Sequence, residues 1–129
     1  MLWRRGDPGG VIALGEGAAT MAAVYAATGL CSVAAFSAGN LATAARAVRV
    51  QWPAARLILC ADDDAGRWPN VGLDAANAAA RSIGGLVARP PRPPGWPPDK
   101  GWDFADTFAA PGGAEAIRRA LDTNQGDSK

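Results

Sequence analysis

The sequence predicts an α/β domain in which a mostly parallel, four-stranded sheet is flanked by helices. Three observations predict it. Short apolar runs alternate with Ala-rich helical stretches, the pattern of parallel strands joined by crossover helices. The run Cys31 to Phe36 does not alternate with polar residues, as expected of a strand buried on both faces. The 129 residues suffice for one hydrophobic core and leave no room for a second.

Each element has its own warrant. Val11 to Leu14 is an apolar run ending at Gly15, the first strand. Ala18 to Ala27 is rich in helix-forming Ala and Met, and Gly29 is placed to stop it. Cys31 to Phe36 is a second, fully buried strand. Asn40 is placed to cap the next helix, in which Leu41, Ala44, Ala45 and Val48 recur at helical spacing while Arg46 and Arg49 face away, and which ends before Pro53. Arg56 to Ala61 supplies a third strand and runs directly into Asp62-Asp63-Asp64. After a loop containing Trp68 and Pro69, Asn70 caps a helix from Val71 to Ile83 that stops at Gly84-Gly85. Leu86 to Ala88 is a fourth strand. From Pro90 to Pro98 six of nine residues are proline, which makes a stiff extended connection, a linker or a wall. A short helix starts near Asp103 and a last one covers Ala114 to Leu121, with Ile117 and Leu121 inward. Residues 1–10 then form a lead-in, 11–121 the domain with its Pro-rich loop at 90–98, and 122–129 a polar tail expected to fray.

Composition removes whole classes of chemistry. Thirteen Lys plus Arg against twelve Asp plus Glu give a net charge of +1, so no bulk field marks the chain as a nucleic-acid or membrane binder, and such contacts must be local. The absence of histidine excludes Ser-His-Asp and Cys-His nucleophilic sites, imidazole acid–base catalysis and every His-containing zinc site. Cys31 and Cys60 lie in apolar runs without the C-x-x-C spacing of a metal or redox pair, and are expected to be buried thiols in a reducing compartment. The uncharged stretch from Gly17 to Ala45 is long enough to cross a bilayer, but Ser37, Gly39 and Asn40 interrupt it and it holds few large apolar residues. The N-terminus has no signal-peptide apolar region, so the protein is expected to be cytoplasmic, with no membrane contact.

Carboxylates remain as candidate ligands. In a parallel sheet the loops leaving the carboxyl ends of the strands share one edge, where ligands bind. Glu16 follows the first strand within Gly15-Glu16-Gly17, and Asp62-x-Asp64 follows the third. Residues i and i+2 at a strand end project to the same side, so both aspartates can meet one hard cation, with Glu16 completing the site. Magnesium accepts a few such oxygens while keeping water and phosphate as its other ligands. The plainer alternative is that the acidic triplet is only a turn and cap. Gly15-x-Gly17-x-x-Thr20 imitates a dinucleotide fingerprint, but Thr20 stands where the third glycine belongs and Phe36-Ser37 lacks the acid that holds a ribose. Nucleic-acid contacts at this edge would come from Arg67 and Lys100, with Arg89 or Arg92 nearby. Trp68 or Trp102 is available either for stacking on a base or for closing a small loop core.

In order along the chain, Gly15-Glu16-Gly17, Gly39-Asn40-Leu41 and Asp62-x-Asp64 resemble the Toprim domain, a Rossmann-like fold shared by bacterial-type primases, topoisomerases and some nucleases. The likeness is closest to the Toprim domain of plasmid and phage primase-helicases. It extends over about residues 11–121 and includes Gly72-Leu73-Asp74-Ala75-Ala76 and Asp103-Phe104-Ala105-Asp106. The resemblance implies a domain that holds Mg²⁺ or Mn²⁺ for nucleotidyl transfer or phosphodiester cleavage. It makes Asp62 and Asp64 metal ligands, Glu16 a general acid, general base or further ligand, and Asp103 and Asp106 further metal candidates, with a plain helix N-cap the alternative at Asp103. The implied partners are a DNA template, nucleotides and other primase or helicase domains or subunits. The resemblance thus implies the catalytic domain of a primase-type nucleotidyltransferase, inactive alone because template-holding and zinc-binding regions are missing. A metal-dependent nuclease and a non-catalytic interaction module are the alternatives. Topoisomerase activity is not expected, because Tyr25 lies mid-helix in an apolar stretch. One departure from the family pattern is the apparent insertion of Ala65 to Val71 between the acidic pair and Gly72.

Overall fold

The computed structural model of the chain describes residues 3–122. Of the tail expected at 122–129, residues 123–129 lie outside the described residues. Ten elements follow one another: β1 (Trp3–Arg5), β2 (Val11–Gly15), α1 (Ala18–Thr28), β3 (Cys31–Ala34), α2 (Ala38–Gln51), β4 (Arg56–Cys60), α3 (Val71–Ile83), β5 (Leu86–Ala88), α4 (Phe104–Ala109) and α5 (Gly113–Ala120). The sheet order is β1-β3-β2-β4-β5. The four strands expected from the sequence are parallel. A fifth, β1, lies in the lead-in and pairs antiparallel with β3.

Strand alternation divides the core into two layers. Ile12, Leu14, Leu57 and Leu59 face α2 and α3, meeting Leu41, Ala44, Ala45, Val48, Ala76 and Ala79. Ala13, Ile58 and Cys60 face the other way, against Met21 and Val24 of α1, Phe104 of α4 and Ile117 of α5. The many alanines let helices lie close to the sheet on both sides. Cys31 and Cys60 are free, buried and assigned to opposite layers. Burial raises the pKa of both thiols above the ordinary value.

The helix ends follow the sequence with two corrections. Gly29 and Gly84 close α1 and α3 in the left-handed conformation, and the Asn70 side chain caps α3. The cap of α2 is Ser37, not Asn40: the Asn40 amide donates to Ser37 Oγ at 3.2 Å, because the short hydroxyl in extended backbone reaches the N–H three residues on. Arg49 does not simply face solvent. Its guanidinium donates to Ile83 O at 3.1 Å and Ala55 O at 2.6 Å, holding the end of α3. Tyr25 lies under the lead-in, with the Arg5 guanidinium 5.8 Å from its ring centroid. Among the described residues no helix is long and apolar enough to cross a membrane.

Candidate metal centre

Strand register brings the acids together. Gly15 is the register partner of Cys60 on the neighbouring strand, so the chain leaves β2 at Glu16 beside the point where it leaves β4 toward Asp62. Glu16 comes within hydrogen-bonding reach of the Asp62 carboxyl. Asp62 and Asp64 line a cleft of about 470 Å³ together with Arg67, Lys100, Asp103 and Asp106. Glu16 meets Asp62 from outside that lining.

The middle aspartate of the triplet has a different task. Asp63 is buried; its Oδ1 accepts from Asn70 Nδ2 at 3.0 Å and its Oδ2 pairs with Arg89 at 3.3 Å. Its backbone N–H and C=O both bond Trp102, each at 2.9 Å. Asp63 thus joins the acidic loop to the N-cap of α3 and to the segment before α4. Asp64 takes part in the same support: its Oδ2 accepts from the Gly72 amide at 2.7 Å and its own amide donates to Asn70 Oδ1 at 3.0 Å. The N-terminus of α3, with its partial positive charge, therefore abuts the acidic pair.

Gly72 is what allows that approach. A Cβ there would stand 2.8 Å from Asp62 O and 2.9 Å from Asp62 Cβ, closer than packed atoms tolerate. Residues 65–71, largely exposed, bridge Asp64 to Gly72 and bring the glycine back against the carboxylates.

Electrostatics single out Asp62. Burial raises its pKa from 3.8 to about 7, helped by the charges of Glu16, Asp103 and Asp64. Its Oδ1 is buried and accepts no hydrogen bond. A buried carboxylate oxygen without a donor, surrounded by like charges, is costly in an apo site and suits a hard divalent cation. Among the described residues no group of three or more Asp, Glu or Cys side chains is placed to hold a metal ion, so the expected three-acid site, with Glu16 completing the set, is not formed. The donor set therefore fits a magnesium-like ion held by one or two carboxylates, with water and phosphate oxygens as the remaining ligands.

The other sequence candidates divide clearly. Asp103 caps α4 and forms a reciprocal capping box with Asp106, at 2.9 and 3.0 Å, so one oxygen of each is engaged in holding the helix. Arg89 is paired with Asp63. Arg92 donates to Trp96 O at 2.6 Å and stands over the Trp102 ring. Trp96 and Trp102 close the loop core, the latter through an N–H bond to Pro90 O at 2.7 Å, which makes the Pro-rich segment a wall. Lys100 lines the cleft while its ammonium stands 4.4 Å from the Trp96 ring centroid. Trp68 is 95% exposed and belongs to no loop core. Sequence reasoning missed the clamp of Asp63, Asn70 and Trp102. Strand alternation carried a signal for part of it, since Asp63 must point away from its two neighbours.

A family model of the Toprim domain matches residues 11–121. Two proteins from Escherichia coli, each named DNA primase TraC, are 37% identical over 83 residues and 36% identical over 88 residues, covering 61% and 65% of this chain. The chain spans only 6% and 8% of the length of those relatives. No solved structure matches it.

Proposed function

The chain belongs to the Toprim domain family, and on that premise we propose that it is the Mg²⁺- or Mn²⁺-dependent module of a primase-type protein. It supports nucleotidyl transfer during primer synthesis on a DNA template, together with other domains or subunits. The similarity to two DNA primases supports a primase-type domain and favours synthesis over strand cleavage, for which the same acids would also serve. The observation that carries the metal assignment is the buried Asp62 Oδ1 without a hydrogen-bond donor, crowded by Glu16, Asp64 and Asp103.

Asp62 and Asp64 are the residues that would hold the ion. A divalent cation held there would supply charge that offsets phosphate oxygens and the charge developing at phosphorus during in-line displacement. Glu16, within reach of Asp62, would take or return a proton at its carboxylate. Asp103 and Asp106 add negative charge across the cleft. Arg67 and Lys100, on the same cleft, attract and orient phosphates, and the exposed indole of Trp68 offers a face to a base. The closed wall from Pro90 to Trp102 limits the cleft on one side.

Calorimetric titration of Mn²⁺ into the wild-type protein and an Asp62→Ala, Asp64→Ala variant tests the assignment. Binding is expected for the wild type and at least tenfold weaker binding for the variant; equal binding overturns the metal centre.

A further inference from the structure

Phe36 carries two features that the fold alone leaves without a use. Its φ is +74°, and it is the one non-glycine residue with positive φ among those described. Its side chain is 57% exposed and belongs to neither core layer. A bulky residue is disfavoured in the left-handed region, and an exposed ring gains little from burial. Asparagine or glycine would relieve both conditions, and non-glycine residues in such conformations cluster at ligand sites.

Its position supplies the ligand. Beyond the regular ladder, the Ala35 amide donates to Gly15 O at 2.9 Å and the Phe36 amide to Glu16 O at 2.6 Å. The backbone of Phe36 is therefore tied directly to that of Glu16. Strands β3 and β4 flank β2, so Phe36 and Asp62 lie on either side of Glu16, about 10 Å apart at two interstrand spacings. A nucleotide covers that interval from phosphate to base.

We propose that Phe36 is a stacking platform for a base of single-stranded DNA whose phosphate lies at the acidic pair. The proposal rests on the metal-dependent nucleic-acid function put forward above. Phe36 makes no contact with the reacting phosphate; it fixes where the strand crosses the sheet edge. Stacking on an aromatic face tolerates any base, which suits a module that works along varied template.

The test uses the 129-residue chain, a fluorescein-labelled oligothymidylate and fluorescence anisotropy in the presence of Mg²⁺. Phe36→Asn is expected to weaken oligonucleotide binding by about fivefold or more, while Phe36→Tyr retains it. Phe36→Asn should also unfold at the same or a higher urea concentration and keep wild-type Mn²⁺ affinity. A merely structural ring gives the reverse pattern, with lower stability and unchanged DNA binding, and either result overturns the proposal. If the wild type binds Mn²⁺ and the oligonucleotide and Phe36→Asn does so equally, only the platform falls. If the wild type binds neither, the metal-dependent function falls with it.

Discussion

Replacing Asp62 by asparagine is expected to stabilise the metal-free protein at neutral pH and to remove a pH dependence that the wild type carries. The carboxyl ordinarily titrates at 3.8 and is raised to about 7 in the fold, first by burial and then by Glu16, Asp103 and Asp64. Between those values the folded chain keeps the proton while the unfolded chain has lost it. The folded state then binds more protons, so stability falls as pH rises through this window and levels off above about pH 7. The full displacement corresponds to about 4 kcal/mol at ~1.36 kcal/mol per pH unit. Asp62 keeps part of its contact with water, and solvent screening reduces the figure to roughly 1–2 kcal/mol. Urea unfolding in EDTA from about pH 4.5 to 8 measures it, with wild type and Asp62→Asn compared at each pH so that groups common to both cancel. The stability gap should widen by ~1–2 kcal/mol in favour of the variant as pH rises. Mg²⁺ should then restore the wild type alone, most strongly at the upper end, because the ion binds the carboxylate and not the acid. Gaps that stay constant over the whole range refute the crowding and burial assigned to Asp62.

Three further outcomes follow from the same geometry. Gly72→Ala, which at an ordinary helix position would help by up to about 1 kcal/mol, is expected instead to destabilise by roughly 1–2 kcal/mol and to weaken Mn²⁺ binding. Chemical denaturation and metal titration read both effects, with Gly9→Ala, where a Cβ meets nothing within 4 Å, as the control. Asp63→Ala leaves Asn70 Nδ2 and Arg89 without their carboxylate and should cost about 1–3 kcal/mol in urea unfolding. A loss near zero would show that the clamp does not hold the loop. Trp68→Ala is expected to leave the melting temperature unchanged, because the indole is exposed, and to weaken oligonucleotide binding by about fivefold, measured by anisotropy.

Much of the fold is legible in the sequence because it rests on local chemistry. The runs at 11–14, 31–36 and 56–61 are short and apolar, the first bounded by Gly10 and Gly15, and the observed strands fall within them or extend them by one residue, β3 stopping at Ala34 short of the exposed Phe36. Helix stops at Gly29 and Gly84 follow from the left-handed backbone that glycine supplies. Less was legible where two residues compete for one task. Ser37 and Asn40 are both good caps, and only the extended backbone at Ser37 decides between them. The edge strand Trp3–Arg5 carries two arginines and no alternation, so nothing in its own residues marks it; pairing with β3 makes it a strand.

The sequence by itself determined the layered α/β fold, the exclusion of imidazole chemistry and the three acids worth suspecting, because periodicity, residue type and strand-end position act over a few neighbouring residues. Only the tertiary structure decided that Glu16 reaches Asp62, that Asp63 turns away to clamp Asn70 and Trp102, that Gly72 returns to the carboxylates across the loop at 65–71, and that Phe36 is held exposed beside Glu16. These depend on register and loop closure between segments far apart in the chain, where a side chain's charge state and exposure are set by neighbours that its local sequence does not name.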